Sequence, residues 1–177
     1  MTQQQIIVFC GADKTGKTEI SQELSHKLKI PYFKVSREKL KFRNGDHFVN
    51  EMKYADPRLI DVLSQTGYSL IMDRGWPCEW VYSRFLNRQT DDGALRYSDN
   101  GFSQLGAKII ICYRNDYSGL IDEDRPDLLT PTNLEKISKL YNEFGKWTKC
   151  DVFYLNVDSE NLPEQITEIC NFLTKEN

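Results

Sequence analysis

Residues 11–18 read GADKTGKT and match the phosphate-binding loop pattern G-x-x-x-x-G-K-[ST] at every fixed position. Such a loop needs a strand before it and a helix after it, because backbone N–H groups and a helix N-terminus together surround the anion. Residues 6–10 form an apolar run that is β-branched or aromatic up to Cys10, as in a buried parallel strand, and Ile20, Leu24 and Leu28 recur at helical spacing. The sequence therefore predicts a strand, loop and helix that bind a nucleoside triphosphate.

Within this loop, two side chains have predicted contacts of their own. Lys17 is expected to reach the β- and γ-phosphates, and the Thr18 hydroxyl is expected to ligate Mg²⁺. The other residues expected to line the triphosphate are Gly11, Asp13, Lys14, Thr15 and Gly16. The implied cofactors are ATP and Mg²⁺.

Length and charge restrict the class of protein. The 177 residues suffice for one domain, 1–177, with its own core. A net charge of -3 argues against a long nucleic acid as the main partner. The five cysteines have no C-x-x-C spacing and are interpreted as core residues in a reducing cytoplasm. With no signal peptide pattern and no membrane-spanning apolar run, we expect a soluble cytoplasmic protein.

Apolar strand-like runs alternate with helical or loop stretches along the chain. The runs are residues 6–10, 32–35, 69–72, 108–113 and 152–157. This alternation predicts an α/β fold of three layers, α/β/α, with a five-stranded parallel sheet. Ligands of such sheets bind at the carboxyl ends of the strands. The segments to examine are therefore 11–18, 36–43, 73–76, 114–127 and 158–161.

Two polar, turn-rich segments, 88–101 and 116–127, are predicted to be mobile loops. The second follows the fourth predicted strand, where a lid is expected, although Gly119 and Pro126 could equally mark an ordinary surface loop. Apolar residues at helical spacing between 134 and 144 and between 166 and 173 predict two helices packed on the sheet.

Asp73 and Arg74 follow the third predicted strand. A carboxylate there can hold a metal-bound water, and a guanidinium can clamp a second phosphate. An Asp-Arg pair also begins ordinary loops, so the pair alone leaves both interpretations open. The chain has no N-K-x-D segment, which weakens a GTPase interpretation.

Together these motifs resemble the thymidylate kinase family of nucleoside monophosphate kinases. In that family the loop carboxylate approaches the 3′-hydroxyl of the acceptor sugar, so the resemblance implies this role for Asp13. Asp73 and Arg74 match the first two residues of the family's D-R-Y/H motif, whereas Gly75 replaces the aromatic residue. Three nearby aromatic residues, expected in the core or the pocket wall, offer a replacement: Trp76, Trp80 and Tyr82.

The segment between the second and third strands extends the resemblance. It implies that Arg37 grips the acceptor phosphate, that Tyr54 stacks on the base and that Arg58 hydrogen-bonds a pyrimidine. Residues four apart on a helix share one face, and Pro57 fits near the helix start. Tyr54 could equally be a core aromatic and Arg58 a surface charge.

The proposed lid, 116–127, contains a single basic residue, Arg125, among five carboxylates. The resemblance implies that Arg125 closes over the transferred phosphate and that Lys14 supplies the positive charge that the acidic lid lacks. The implied catalytic set is Lys14, Lys17, Asp73, Arg74 and Arg125, with Asp73 reaching the metal through water.

The function implied by the resemblance is ATP-dependent phosphoryl transfer to a (deoxy)nucleoside monophosphate, a pyrimidine such as dTMP, by an enzyme that is commonly a homodimer in that family. Two alternatives remain. A deoxynucleoside kinase would need a base for its hydroxyl acceptor, and Glu38 or Asp73 could serve. An ATP-binding protein acting on polynucleotides could use the basic run of Lys39, Lys41 and Arg43.

Overall fold

The structure, a computed structural model, describes residues 4–34, 55–120 and 125–174. Its strands are β1 (Ile6–Gly11), β2 (Tyr32–Lys34), β3 (Leu70–Asp73), β4 (Lys108–Tyr113) and β5 (Asp151–Asn156). The helices of these ranges are α1 (Lys17–Leu28), α2 (Asp56–Thr66), α3 (Trp76–Phe85), α4 (Asp92–Gln104), α5 (Pro131–Trp147) and α6 (Leu162–Thr174).

The five strands form one parallel sheet in the order β2-β3-β1-β4-β5. β1 lies at the centre, and all six of its residues are buried, as expected for a strand covered on both faces. Because every strand points the same way, the segments after β1, β3 and β4 meet at one edge, together with the carboxyl end of β2. The predicted five-stranded parallel sheet is confirmed.

Helices cover both faces of the sheet. Alternate residues of β1 face opposite ways: Ile7 and Phe9 pack in a core with α1 and α6, whereas Val8 and Cys10 pack in a core with the other four helices. This arrangement gives the three α/β/α layers that the sequence predicts. The two predicted helices near the carboxyl end are confirmed as α5 and α6.

The prediction of a mobile loop over 88–101 was wrong for most of the segment, because α4 occupies Asp92–Gln104. The Asp91 side chain caps this helix by accepting a hydrogen bond from the Ala94 backbone N–H, 2.9 Å away. Leu95 and Phe102, seven residues apart, are fully buried. The cap and this spacing are visible in the sequence, but turn-forming residues outweighed them in the prediction.

The cysteines are all free thiols, and four of them are buried. Burial raises the pKa of the Cys10 thiol well above its usual value, so this group stays protonated. These observations agree with the interpretation of the cysteines as core residues. Among the described residues, no helix combines the length and apolar character needed to cross a membrane.

Candidate active site

The loop between β1 and α1 has the backbone of an anion site. A Cβ at Gly11, where φ is 140°, would lie 2.2 Å from the Cys112 carbonyl oxygen, so only glycine lets β1 pass this close to β4. The Thr15 hydroxyl donates to the Ala12 carbonyl oxygen at 2.8 Å and holds the turn. Gly16 is the N-cap of α1 and no side chain caps this end, so backbone N–H groups of the first turn can bind an anion.

A cavity of about 360 Å³ opens over this loop. Its lining residues are Asp13, Lys14, Gly16, Lys17, Thr18, Glu19, Gln22 and Arg74. A larger cavity, about 750 Å³, lies at the opposite edge of the sheet, between the ends of α1 and α2 and the first residues of β3. That cavity is lined mainly by apolar side chains and is unsuited to a triphosphate.

The first of two carboxylate groups at the site is the Asp13 cluster, which comprises Asp13, Lys17, Arg74, Tyr82 and Arg125. The Asp13 carboxylate lies 3.1 Å from Arg74 Nη2, 3.5 Å from Arg125 Nη2 and 3.8 Å from Lys17 Nζ. The Tyr82 hydroxyl donates to it at 2.7 Å. Burial alone would raise the pKa of Asp13, but the three cations and the hydroxyl outweigh it and hold the pKa below its usual value.

The second group is the Asp73 cluster, which comprises Thr18, Tyr32, Lys34 and Asp73. The hydroxyls of Thr18 and Tyr32 donate to Asp73 Oδ2 at 2.7 and 3.0 Å. The Lys34 ammonium lies 3.9 Å from Asp73 Oδ2 and donates to Thr18 Oγ1 at 3.4 Å. Asp73 Oδ1 is buried and has no hydrogen-bond partner in the described part of the chain. This oxygen therefore has no partner from the described residues, and a bound ion or ligand could satisfy it.

The backbone after Asp73 explains why the expected aromatic residue is missing. Gly75 has φ 138° and ψ −153°, a conformation that essentially only glycine adopts, and Arg74 also has a positive φ of 79°. Of the three aromatic candidates, Trp76 stacks on Phe102 in the core, and Trp80 packs on core aromatics of α5. Tyr82 alone of the three hydrogen-bonds a residue of the phosphate loop.

Two cations that the sequence analysis did not single out also lie at this edge. Lys34 ends β2, and Arg114 directly follows β4. Arg114 Nε donates to the Lys14 carbonyl oxygen at 3.0 Å, and its Nη2 donates to Glu160 Oε1 at 2.9 Å. Both could have been found by examining every polar residue at the carboxyl end of a predicted strand. Lys14 itself is exposed, with a positive φ of 66°.

The predicted acceptor residues are only partly located. Arg37 and Tyr54 lie outside the described residues, as do the lid residues 121–124. Arg58 is exposed in the first turn of α2, and no hydrogen bond or ion pair involving it is found within the described ranges. Pro57 lies in the same first turn, where it is tolerated, as predicted. The structure thus brings together Asp13, Lys17, Thr18, Asp73, Arg74 and Arg125.

The fold is similar to that of several solved structures, among them two kinases. The YorR protein of Bacillus subtilis, solved with phosphorylated GDP, matches at 18% identity and a TM-score of 0.67, with 95% of each chain covered. A deoxyadenosine kinase from M. mycoides, solved with dCMP and dCDP, matches at 21% identity and 0.56, covering 95% of this chain and 98% of that one. Thymidylate kinase from Ehrlichia chaffeensis matches at 12% and 0.62, covering 98% and 100%.

No protein-family model matches the sequence, and no curated protein matches significantly. At these identities the structural similarity establishes the fold: the chain has the P-loop kinase fold that the sequence analysis predicts.

Proposed function

We propose that this protein is a nucleotide kinase that transfers a phosphoryl group from ATP to a nucleoside monophosphate. The observation that carries the proposal is the excess of positive charge at the carboxyl edge of the sheet. Within the described residues, the four cations Lys17, Lys34, Arg74 and Arg125 lie within 4 Å of two carboxylates, those of Asp13 and Asp73. Such an excess suits two phosphate groups that must approach one another despite their repulsion.

On the donor side, the phosphate loop would hold the triphosphate through its backbone N–H groups and Lys17. Lys14 and Arg125 would share the neutralisation of the transferred group. Thr18 and Asp73 fit a Mg²⁺ ion, because their oxygens are adjacent and Asp73 Oδ1 has no partner in the described ranges. When bound, Mg²⁺ would neutralise charge on the donor phosphates, with Asp73 acting through a coordinated water.

On the acceptor side, Arg74 and Arg37 would hold the monophosphate, and Asp13 would approach the 3′-hydroxyl of the sugar. Tyr54 and Arg58 would bind the base, and we propose a pyrimidine such as dTMP on the basis of the family resemblance. The monophosphate is already ionised at neutral pH, so positioning and charge neutralisation would supply the rate. By the same resemblance we propose a homodimer, which a measured molar mass in solution would test.

A deoxynucleoside kinase is the second candidate, because one protein with a similar fold is a deoxyadenosine kinase, whereas another is a thymidylate kinase. A hydroxyl acceptor needs an accessible general base. The Asp73 side chain is fully buried, and the Asp13 carboxylate is paired with three cations that lower its pKa, so neither is well suited to act as a general base. The described residues therefore favour an anionic acceptor. Glu38 and the basic run of the polynucleotide alternative lie outside the described residues.

The test is ADP release from Mg²⁺-ATP, screened over mononucleotides and the matching nucleosides, with an oligonucleotide in a parallel reaction. We expect turnover with a monophosphate, dTMP being the first choice, and at least tenfold less with thymidine. Lys17→Met should abolish turnover, which separates the activity of this protein from a contaminant. Turnover with nucleosides alone would favour the second candidate, and turnover with none of the acceptors would contradict the proposal.

A further inference from the structure

Lys34 lies where the proposed metal would bind. Its ammonium is 3.4 Å from Thr18 Oγ1 and 3.9 Å from Asp73 Oδ2, the two side chains that fit Mg²⁺. The Asp73 side chain is fully buried, so its charge needs a nearby cation when no ligand is bound. In the structure described here, Lys34 is the cation within 4 Å of it.

An ammonium and a divalent ion cannot both occupy this position, because two cations at such a distance repel strongly in a partly buried site. Lys34 is free to leave, since its side chain is 36% exposed and carries its charge on a flexible four-carbon stem. The two hydroxyls of Thr18 and Tyr32 stay behind as donors to Asp73.

The position of β2 in the sheet indicates where the released ammonium goes. β2 is the edge strand next to β3, on the opposite side of β3 from β1 and the phosphate loop. In the register of the sheet Lys34 pairs with Asp73, the residue before Arg74, which is proposed to hold the acceptor phosphate. The Lys34 ammonium contacts Thr18 and the Arg74 guanidinium contacts Asp13, so both cations reach the phosphate loop. A phosphate held by Arg74 is therefore an anion that a displaced Lys34 can contact.

We propose that Lys34 is the resident counter-cation of Asp73, that the Mg²⁺-nucleotide displaces it, and that the displaced ammonium then contacts the phosphate of the acceptor. This inference rests on the proposed function. Removal of the Lys34 ammonium should strengthen binding of the Mg²⁺-nucleotide, because competition with the metal ends. The same change should weaken binding of the acceptor, because its phosphate loses a cation.

The first test compares the wild type with Lys34→Met, which keeps the apolar stem, and with Lys34→Arg, which keeps the charge. Calorimetry would measure binding of the non-hydrolysable ATP analogue AMPPNP with Mg²⁺ and, separately, with EDTA. We expect the ratio of Mg²⁺-bound to metal-free affinity to rise about tenfold in Lys34→Met and to stay near the wild-type ratio in Lys34→Arg. The control is Lys27→Met, an exposed lysine at the other end of α1, which should leave the ratio unchanged.

The second test measures the KM for the best acceptor, which should rise about tenfold in Lys34→Met. A lower ratio of affinities, or an unchanged acceptor KM, would overturn the inference. Should the wild type turn over no acceptor, the proposed function fails, whereas the calorimetric ratio still decides whether Lys34 competes with the metal. If Lys34→Met does not fold, the lysine ammonium signals of labelled wild-type protein serve instead. One of them should shift with Mg²⁺-AMPPNP and not with AMPPNP in EDTA, and no difference would overturn the inference.

Discussion

Asp13 and Asp56 are almost equally buried, with 6% and 5% of their surface exposed, yet their pKa values move in opposite directions. Burial alone would raise the pKa of Asp13, but Lys17, Arg74, Tyr82 and Arg125 hold it below its usual value. Burial raises the pKa of Asp56 to about 6, and the nearby Ser98 hydroxyl offsets little of that rise. The difference lies in what surrounds each carboxylate: Asp13 faces converging cations, whereas Asp56 begins α2 and faces the Ser98 hydroxyl of α4.

Cations beside a buried carboxylate do not by themselves identify a functional site. Glu79 is also buried and accepts two hydrogen bonds from Arg88 and one from Thr90, yet this group joins the first turn of α3 to the loop that follows the helix. The Asp13 cluster differs because three cations share one carboxylate beside a cavity over the phosphate loop. The comparison teaches that surplus charge beside a cavity, rather than ion pairing, indicates the anion site.

The largest expected effect comes from Arg74→Ala. Arg74 is proposed to hold the acceptor phosphate, so its loss should lower kcat/KM for phosphoryl transfer about 100-fold or more. ATP binding should stay largely intact, because the phosphate loop and Lys17 remain. Steady-state kinetics and calorimetric titration with ATP would measure the two effects.

Arg84→Ala is the matched control for this variant, because Arg84 lies in α3, the helix that follows Arg74, and pairs with Asp92 instead. Arg84→Ala should change neither kcat/KM nor the affinity for ATP more than a few-fold. Equal losses of ATP affinity and of turnover in Arg74→Ala would contradict the assignment of Arg74 to the acceptor.

A smaller effect is expected from Asp56→Asn, which tests the other side of the comparison. A carboxyl whose pKa is raised in the folded state contributes stability at low pH and loses it as the pH rises towards 6. The wild type should therefore lose on the order of 2 to 3 kcal/mol of unfolding free energy between pH 4 and pH 7 that Asp56→Asn retains. Urea denaturation at several pH values would measure this difference.

Asp61→Asn provides the control, because Asp61 is an exposed carboxylate in the same helix. Its unfolding free energy should follow the wild-type pH dependence. Parallel pH profiles for Asp56→Asn and the wild type would contradict the view that Asp56 is a buried carboxyl to which the described residues offer no compensating cation.

The smallest effect is expected from Tyr82→Phe, which removes one neutral donor from the Asp13 cluster and leaves its cations. Loss of this 2.7 Å hydrogen bond should destabilise the fold by about 1 kcal/mol at neutral pH. Because the pKa of Asp13 is lowered from 3.8, the contribution is complete above that pH and disappears as the pH falls below it. Acid denaturation should therefore show the two proteins converging below about pH 4.

Tyr97→Phe, at an exposed tyrosine of α4, should differ little from the wild type at any pH. A constant difference between Tyr82→Phe and the wild type down to pH 2 would contradict the coupling to Asp13. A change in unfolding free energy larger than that of Asp56→Asn would contradict the expected ranking of the two variants.

Much of the fold was predictable because its signals are local. The phosphate loop, the apolar strand runs and the spacing in α5 and α6 each occupy fewer than about 20 consecutive residues. α4 was missed because its turn-forming residues mask a weak apolar spacing. The poor helix propensity of those turn-forming residues is offset by the burial of Leu95 and Phe102. Gly75 departs from the expected motif because its backbone conformation is one that essentially only glycine adopts, and the sequence does not reveal that conformation.

The sequence by itself determined the phosphate loop, the parallel sheet and the identity of Asp73 and Arg74 as strand-end residues. Only the tertiary structure decided which distant side chains meet there. Tyr82 reaches Asp13 across 69 positions, Asp73 reaches Thr18 across 55, and Arg114 reaches Lys14 across 100. A parallel sheet brings strand ends together whatever their separation along the chain, so these contacts leave no periodic or local signal in the sequence. The charge balance of the site is therefore a property of the folded protein.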